Sequence, residues 1–202
     1  MSILEIIGGL TILGFISKLL YVLYQRMIIK PKDPTSYGKW VIITGSTSGI
    51  GKEYAEYLGI RKMNILLISR SEEKLKEQQI ELKKEYSNIE VKYIAYDFTI
   101  MGNVRELFYK ELNKQCEYMV SNGGIGLLIN NVGIANQYPQ RDEELTNQEE
   151  SNMINCNIDS TVFMSRTVLK YMSKQNKGAI LNLSSGSGNI PSPYIAMYSA
   201  TK

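Results

Sequence analysis

Five short apolar runs, separated by longer stretches of helical pattern, constrain this chain more than any other feature. They are "KWVIIT" (39–44), "NILLIS" (64–69), "IEVKYIAY" (89–96), "IGLLIN" (125–130) and "GAILNLS" (178–184). The runs are β-rich and mostly apolar on both faces, as strands buried inside a parallel sheet must be. Helical patterns lie near 49–60, 71–86, 102–119 and 145–174. In "SEEKLKEQQIELKKEY" (71–86), Leu75, Leu82 and Tyr86 mark an inner face, and the charge run is a solvated one. Ser71, ahead of Lys74, is a candidate cap for that helix. Strand–helix alternation with right-handed crossovers predicts an α/β fold with a doubly wound parallel sheet.

Composition narrows the function classes. The 202 residues suffice for one ordinary domain with a real core. Net charge is only +3, with acids and bases interleaved, which argues against a nucleic-acid binder. There is no His, which excludes Ser-His-Asp hydrolysis and argues against a catalytic zinc; no metal site is expected. Cys116 and Cys156 have no metal spacing and read as packed free thiols in a reducing compartment.

Directly after the first run comes "TGSTSGIG", then the helical "GKEYAEYLG". Gly45, Gly49 and Gly51, with Ser46, Thr47, Ser48 and Ile50 between them, let the backbone turn sharply and approach a pyrophosphate. The helix N-terminus that follows favours anions. The spacing is G-x-x-x-G-x-G, not the commoner G-x-G-x-x-G, and a turn that serves only helix–strand packing is the competing reading. At the other end, "YSATK" sets Tyr198 and Lys202 four residues apart, on one helical face and about 6 Å from each other.

The N-terminus differs in kind. Residues 3–24, "ILEIIGGLTILGFISKLLYVLY", are mostly apolar, and about 20 residues of helix span a bilayer core. Tyr21 and Tyr24 suit an interfacial belt, and Lys18 can snorkel. Arg26, Lys30 and Lys32 follow, with Pro31 and Pro34 breaking the helix. The charges come after the apolar run, so a retained membrane anchor with the rest of the chain in the cytosol is favoured over a signal peptide. A packed soluble helix, softened by Gly8 and Gly9, is the alternative. The expected division is 1–36, anchor and linker, and 37–202, the α/β domain.

T-G-x-x-x-G-x-G resembles the cofactor loop of the short-chain dehydrogenase/reductase family, and the rest of the chain follows that pattern over about residues 37–202. "YDFT" (96–99) is similar to the family's motif after the third strand, where Asp97 would accept from the adenine amino group. "NNVG" (130–133), with Asn131 and Gly133, resembles the family's N-N-A-G. Asn157 matches the active-site Asn, Ser185 stands thirteen residues before Tyr198, and Tyr198 and Lys202 complete Y-x-x-x-K. "LLINNVGIANQYP" and "ILNLSSGSGNIPSPYIAMYSATK" look like the microsomal branch of very-long-chain 3-oxoacyl-CoA reductases and 17β-hydroxysteroid dehydrogenases. The resemblance implies a Rossmann-like sheet that is incomplete here, with about five of the family's seven strands. A C-terminally truncated chain is therefore expected, and a non-catalytic fragment that at most binds nucleotide is the competing functional reading.

"ISRSEEK" (68–74) carries Arg70, and no acid, at the end of the second run. A guanidinium there suits a ribose 2′-phosphate, so the expected cofactor is NADPH. Reduction of a ketone needs a hydride, which the cofactor supplies, and a proton. A phenol with its ordinary pKa of about 10 gives that proton poorly at neutral pH, and an ammonium one turn away favours the phenolate. By resemblance Lys202 also holds the nicotinamide ribose, Ser185 orients the substrate carbonyl, and Asn157 positions a water leading to Lys202. The expected substrate is lipid-like, an acyl-CoA or a steroid. The resemblance further implies the endoplasmic reticulum membrane, fatty-acid elongase components as partners and a second copy of the chain. Nucleic acid is not an expected partner.

Overall fold

The strands form where the apolar runs are. The computed structural model describes residues 2–28 and 32–202; Lys30 and Pro31, expected at the end of the first helix, lie outside the described residues. Strands β1 (Trp40–Thr44), β2 (Asn64–Ser69), β3 (Val91–Ala95), β4 (Ile125–Asn130) and β5 (Ala179–Asn182) make one sheet in the order β3-β2-β1-β4-β5. All four pairings are parallel. The order runs outward from β1 in both directions, so the ends of β1 and β4 flank the point where the winding reverses. In open α/β sheets that point opens a crevice beyond the carboxyl ends of the strands.

Alternation along the strands feeds two cores, one on each face. Trp40, Ile42, Leu66 and Ile68 pack with Phe108, Leu112 and Met119 of α4 (Asn103–Ser121) and with Met164, Val168 and Met172 of α6 (Ser160–Gln175). Val41, Ile43, Ile65 and Leu67 face Ala55 and Leu58 of α2 (Gly49–Ile60) and Leu75 and Leu82 of α3 (Glu72–Glu85). Both faces of β1 are covered, which is why a run such as "WVIIT" shows no polar alternation. Ser71 caps α3 by accepting from the Lys74 N–H at 3.4 Å.

One helical region departs from expectation. The pattern at 145–174 predicts a single α-helix, but α5 (Asn147–Met153) passes into a π-helical segment, Ile154–Asp159, before α6 begins. Asn157 sits in that segment, its amide engaged outside the helix. Such π segments hold an extra residue in a turn and are stabilised by contacts of this kind.

Packing divides the chain at Asp33/Pro34. In the N-terminal unit, α1 (Ile3–Ile28) buries none of its residues and is long and apolar enough to cross a membrane. Ser2 and Glu5 close its first turn, with the Ser2 N–H on the Glu5 carboxylate at 2.9 Å and the Glu5 N–H on Ser2 Oγ at 3.3 Å. Thr11 and Ser17 donate back to carbonyls of their own helix, so neither hydroxyl is left unpaired in an apolar surrounding.

Candidate active site

Two clefts open at the carboxyl ends of the strands and meet at Asn131, Gly133 and Ile134. The first, about 350 Å³, is lined by Gly45, Thr47, Ser48, Arg70, Lys74, Asp97 and Asn131, with Cys156 beside them. The second, about 200 Å³, is lined by Ile50, Ser184, Tyr198 and Lys202. Together they make one trough from Arg70 to Tyr198.

The glycine loop is tied from three sides. Thr44 Oγ1 donates to Ile129 O at 3.3 Å and accepts from the N–H groups of Asn131 and Val132, both at 3.0 Å. The Asn131 amide donates to Thr44 O at 2.9 Å and Gly45 O at 3.0 Å, so its side chain holds the loop to β4. Gln78, buried on α3, donates to Ser46 O at 2.8 Å, and the hydroxyls of Thr47 and Ser69 pair at 2.9 Å. Gly45 has a φ of 64°, and Gly51 lies so near the Gly45 carbonyl that a Cβ would overlap it. Ser48 precedes α2 and lines the first cleft, with no hydrogen bond from its side chain to the helix.

Not every expected residue reaches the trough. Ser46 is fully buried with its hydroxyl unpartnered, turned away from the first cleft because its carbonyl is drawn to Gln78. Gly49 and Gly51 shape the loop without lining either cleft. Ser185 lines neither; its Oγ is engaged by Ser187, with the N–H at 3.3 Å and the hydroxyl at 2.9 Å. The neighbouring Ser184 lines the second cleft instead, donating to the Lys202 carbonyl at 2.6 Å.

Arg70 and Lys74 both line the first cleft, and Lys74 is a cation that the motif reading missed. The nearby Glu72 is taken up by Lys76 at 2.8 Å, whose hydrogen bond and charge hold the Glu72 carboxyl below its ordinary value. Asp97 accepts from the Thr99 N–H at 2.9 Å and hydroxyl at 2.8 Å, both on Oδ1. Tyr96 stacks on Phe108 at 4.1 Å, and burial raises its phenol. Burial likewise pushes the Cys156 thiol up to about 11, so it stays protonated beside the cleft.

The second cleft brings Tyr198 and Lys202 beside Gly133, whereas Asn157 is buried behind it and lines neither cleft. A Cβ on Gly133 would lie 2.6 Å from Lys202 Nζ and 3.3 Å from Asn157 Oδ1, so a side chain at this position would push the Lys202 ammonium aside. Asn157 Oδ1 accepts from the Ile134 N–H at 2.8 Å, while its amide donates to Ile134 O at 2.9 Å and Thr201 Oγ1 at 2.8 Å. Tyr198, Thr201 and Lys202 belong to α7 (Ala196–Thr201) and its end. Gln78 and Thr201 were also missed; the one signal for Gln78 was a polar residue on the Leu75–Leu82 face of its helix.

A family profile described as short chain dehydrogenase matches residues 39–202. Very-long-chain 3-oxoacyl-CoA reductase of Macaca fascicularis is 40% identical over 167 residues, covering 82% of this chain and 50% of that protein. Very-long-chain 3-oxoacyl-CoA reductase-A of Danio rerio is 40% identical over 194 residues, covering 95% and 56%. The chain thus spans about half the length of the curated relatives it matches. Among solved structures, L-sorbose reductase from Gluconobacter frateurii complexed with NADPH and L-sorbose superposes with a TM-score of 0.72 at 25% identity, over 84% of this chain and 61% of that one. A short-chain dehydrogenase from Sphingobium yanoikuyae in complex with NADPH gives 0.70 at 27% identity, over 81% and 59%. With strand order, glycine loop and trough in agreement, the chain belongs to the short-chain dehydrogenase family.

Proposed function

We propose that the protein reduces the 3-oxo group of a very-long-chain acyl-CoA to the 3-hydroxy compound with NADPH, the ketone-reducing step of fatty-acid elongation. The observation that carries this is the trough itself, with a cationic pair at one end and Tyr198, Lys202 and Gly133 at the other. The residues present fit the cofactor. The backbone cradle around Gly45 and Gly51 leaves room for a pyrophosphate, Ser48 offers a hydroxyl, and Arg70 and Lys74 suit a 2′-phosphate. Relatives named for this reaction support the choice of substrate class.

NADPH, when bound, supplies the hydride. Tyr198 gives its phenolic proton to the carbonyl oxygen as charge develops there, and the Lys202 ammonium favours the phenolate left behind. Ser185 orients the carbonyl once its hydroxyl leaves Ser187. Asn157 holds the water through which Lys202 draws a proton from solvent. Asp97 accepts from the adenine amino group. Residues 1–36 serve as anchor and linker in the endoplasmic reticulum membrane, with 37–202 in the cytosol, where a lipid-borne substrate is close at hand.

The test is NADPH oxidation by the full-length protein with a long-chain 3-oxoacyl-CoA beside a 17-ketosteroid. Turnover of the acyl-CoA is expected. Turnover of the steroid alone would reassign the substrate, and NADPH binding without turnover of either would leave a nucleotide-binding protein. Alkaline carbonate extraction checks the anchor, and release of the protein into the supernatant would refute it.

A further inference from the structure

We propose that Thr201 is a positioning residue for the reduction, coupling Asn157 to the helix that carries Tyr198 and Lys202. The inference rests on the reductase reading above. Polar ties set where α7 stands against the rest of the fold. Three of those ties are exposed or long: Met197 N–H to Asp142 Oδ1 at 3.4 Å, Ser184 Oγ to the Lys202 carbonyl at 2.6 Å, and Lys202 Nζ to Leu183 O at 3.5 Å. The fourth is buried. Asn157 and Thr201 are 5% and 9% exposed, and Asn157 Nδ2 donates to Thr201 Oγ1 at 2.8 Å.

The direction of that bond is fixed by its neighbours. Thr201 spends its hydroxyl proton on Tyr198 O at 2.8 Å, so a lone pair faces Asn157. The second Asn157 N–H is on Ile134 O, and Oδ1 accepts from Ile134 N–H. Asn157 is therefore a bracket, with one side on the loop after β4 and the other on α7. That loop carries Gly133, against which the Lys202 ammonium rests. Through Thr201 the bracket sets how Tyr198 and Lys202 stand over the cofactor cleft. Removing the hydroxyl frees α7 and leaves a buried N–H of Asn157 without an acceptor.

Valine keeps the shape of Thr201 and deletes the hydroxyl, while serine keeps the hydroxyl. The experiment compares Thr201→Val and Thr201→Ser in the full-length protein by NADPH fluorescence titration and by NADPH oxidation with a long-chain 3-oxoacyl-CoA. Thr201→Val is expected to bind NADPH like the wild type while kcat falls about tenfold to a hundredfold, the scale of small misplacements of catalytic groups. Thr201→Ser is expected to restore kcat. Thr201→Val in an Asn157→Ala background is expected to add little further loss, since the two residues act as one unit. If Thr201→Val does not fold, Thr201→Ala is compared with Thr201→Ser in its place. Wild-type kcat in the valine variant, failure of serine to restore it, or additive losses with Asn157→Ala would each overturn the assignment. A wild-type protein that binds NADPH and reduces no ketone would overturn the reductase reading, and this inference with it. That outcome differs visibly from one in which wild type and Thr201→Val turn over alike.

Discussion

The two ends of the trough are held differently. At the glycine-loop end, every tie joins residues at or just beyond strand ends, or a helix packed on the sheet: Thr44, Asn131, Ser69 and Gln78. The central strands place these groups wherever the core is intact. At the Tyr198 end, the ties run between side chains and loops or helices away from the central strands: Asn157 to Ile134 and Thr201, and Ser184 to the Lys202 carbonyl. On the proposed assignment, cofactor binding is thus built into the sheet, while Tyr198 and Lys202 are positioned by long-range polar contacts. The difference implies that substitutions can stop the chemistry while leaving cofactor binding whole.

Four measurements test that separation, from the largest effect to the smallest. Tyr198→Phe should lower kcat by about 10²–10⁴-fold, the range for a proton-transferring side chain, with NADPH affinity preserved. An equal loss of affinity would erase the contrast between the two ends. Arg70→Ala should raise the apparent constant for NADPH about tenfold to a hundredfold and leave that for NADH nearly unchanged, as expected for a charge-assisted hydrogen bond to phosphate. Equal effects on both nucleotides would refute the 2′-phosphate assignment. Lys74→Met should act in the same direction and more weakly, since a lysine offers no fork. Gln78→Leu removes the donor to Ser46 O; it should cost about 1 kcal/mol in urea unfolding and weaken NADPH binding, with kcat at saturation unchanged.

The smallest effect concerns the two thiols, neither of which belongs to the proposed chemistry. Burial pushes Cys116 up to about 12 and Cys156 up to about 11. Unfolded thiols ionise near their ordinary value of about 8.5, so above that pH the native state binds more protons and stability falls as pH rises toward 11. Thermal unfolding between pH 8 and 10 should show a falling Tm, attenuated in Cys116→Ala. A flat profile would mean that the thiols titrate alike in both states.

Much of the fold is legible because the apolar runs and glycines are local signals. The strands begin within about two residues of where their patterns predict, as expected of strongly patterned segments. Gly133 could be named from its motif, but its reason, the closeness of Lys202 Nζ, could not. Asn157 and Thr201 stand 44 residues apart, and no spacing rule links them. In Y-x-x-x-K, Thr201 reads as filler. Gln78 shares the inner face of Leu75 and Leu82, but nothing local says that its amide reaches the carbonyl of Ser46. Ser185 illustrates the opposite limit: its place in the chain is right, but a local turn with Ser187 decides where its hydroxyl goes.

The π segment at Ile154–Asp159 has a consequence for how this chain can change over time. A π turn carries one residue more than an α turn over the same rotation. Deleting one residue from 154–159 would let the segment close into ordinary α-helix with Met164, Val168 and Met172 still facing the sheet. What would move is the interior of the segment itself, where Asn157 would lose its aim at Ile134 and Thr201. Insertions and deletions should therefore be absent from this stretch among functioning descendants, although substitutions on its exposed side should pass freely.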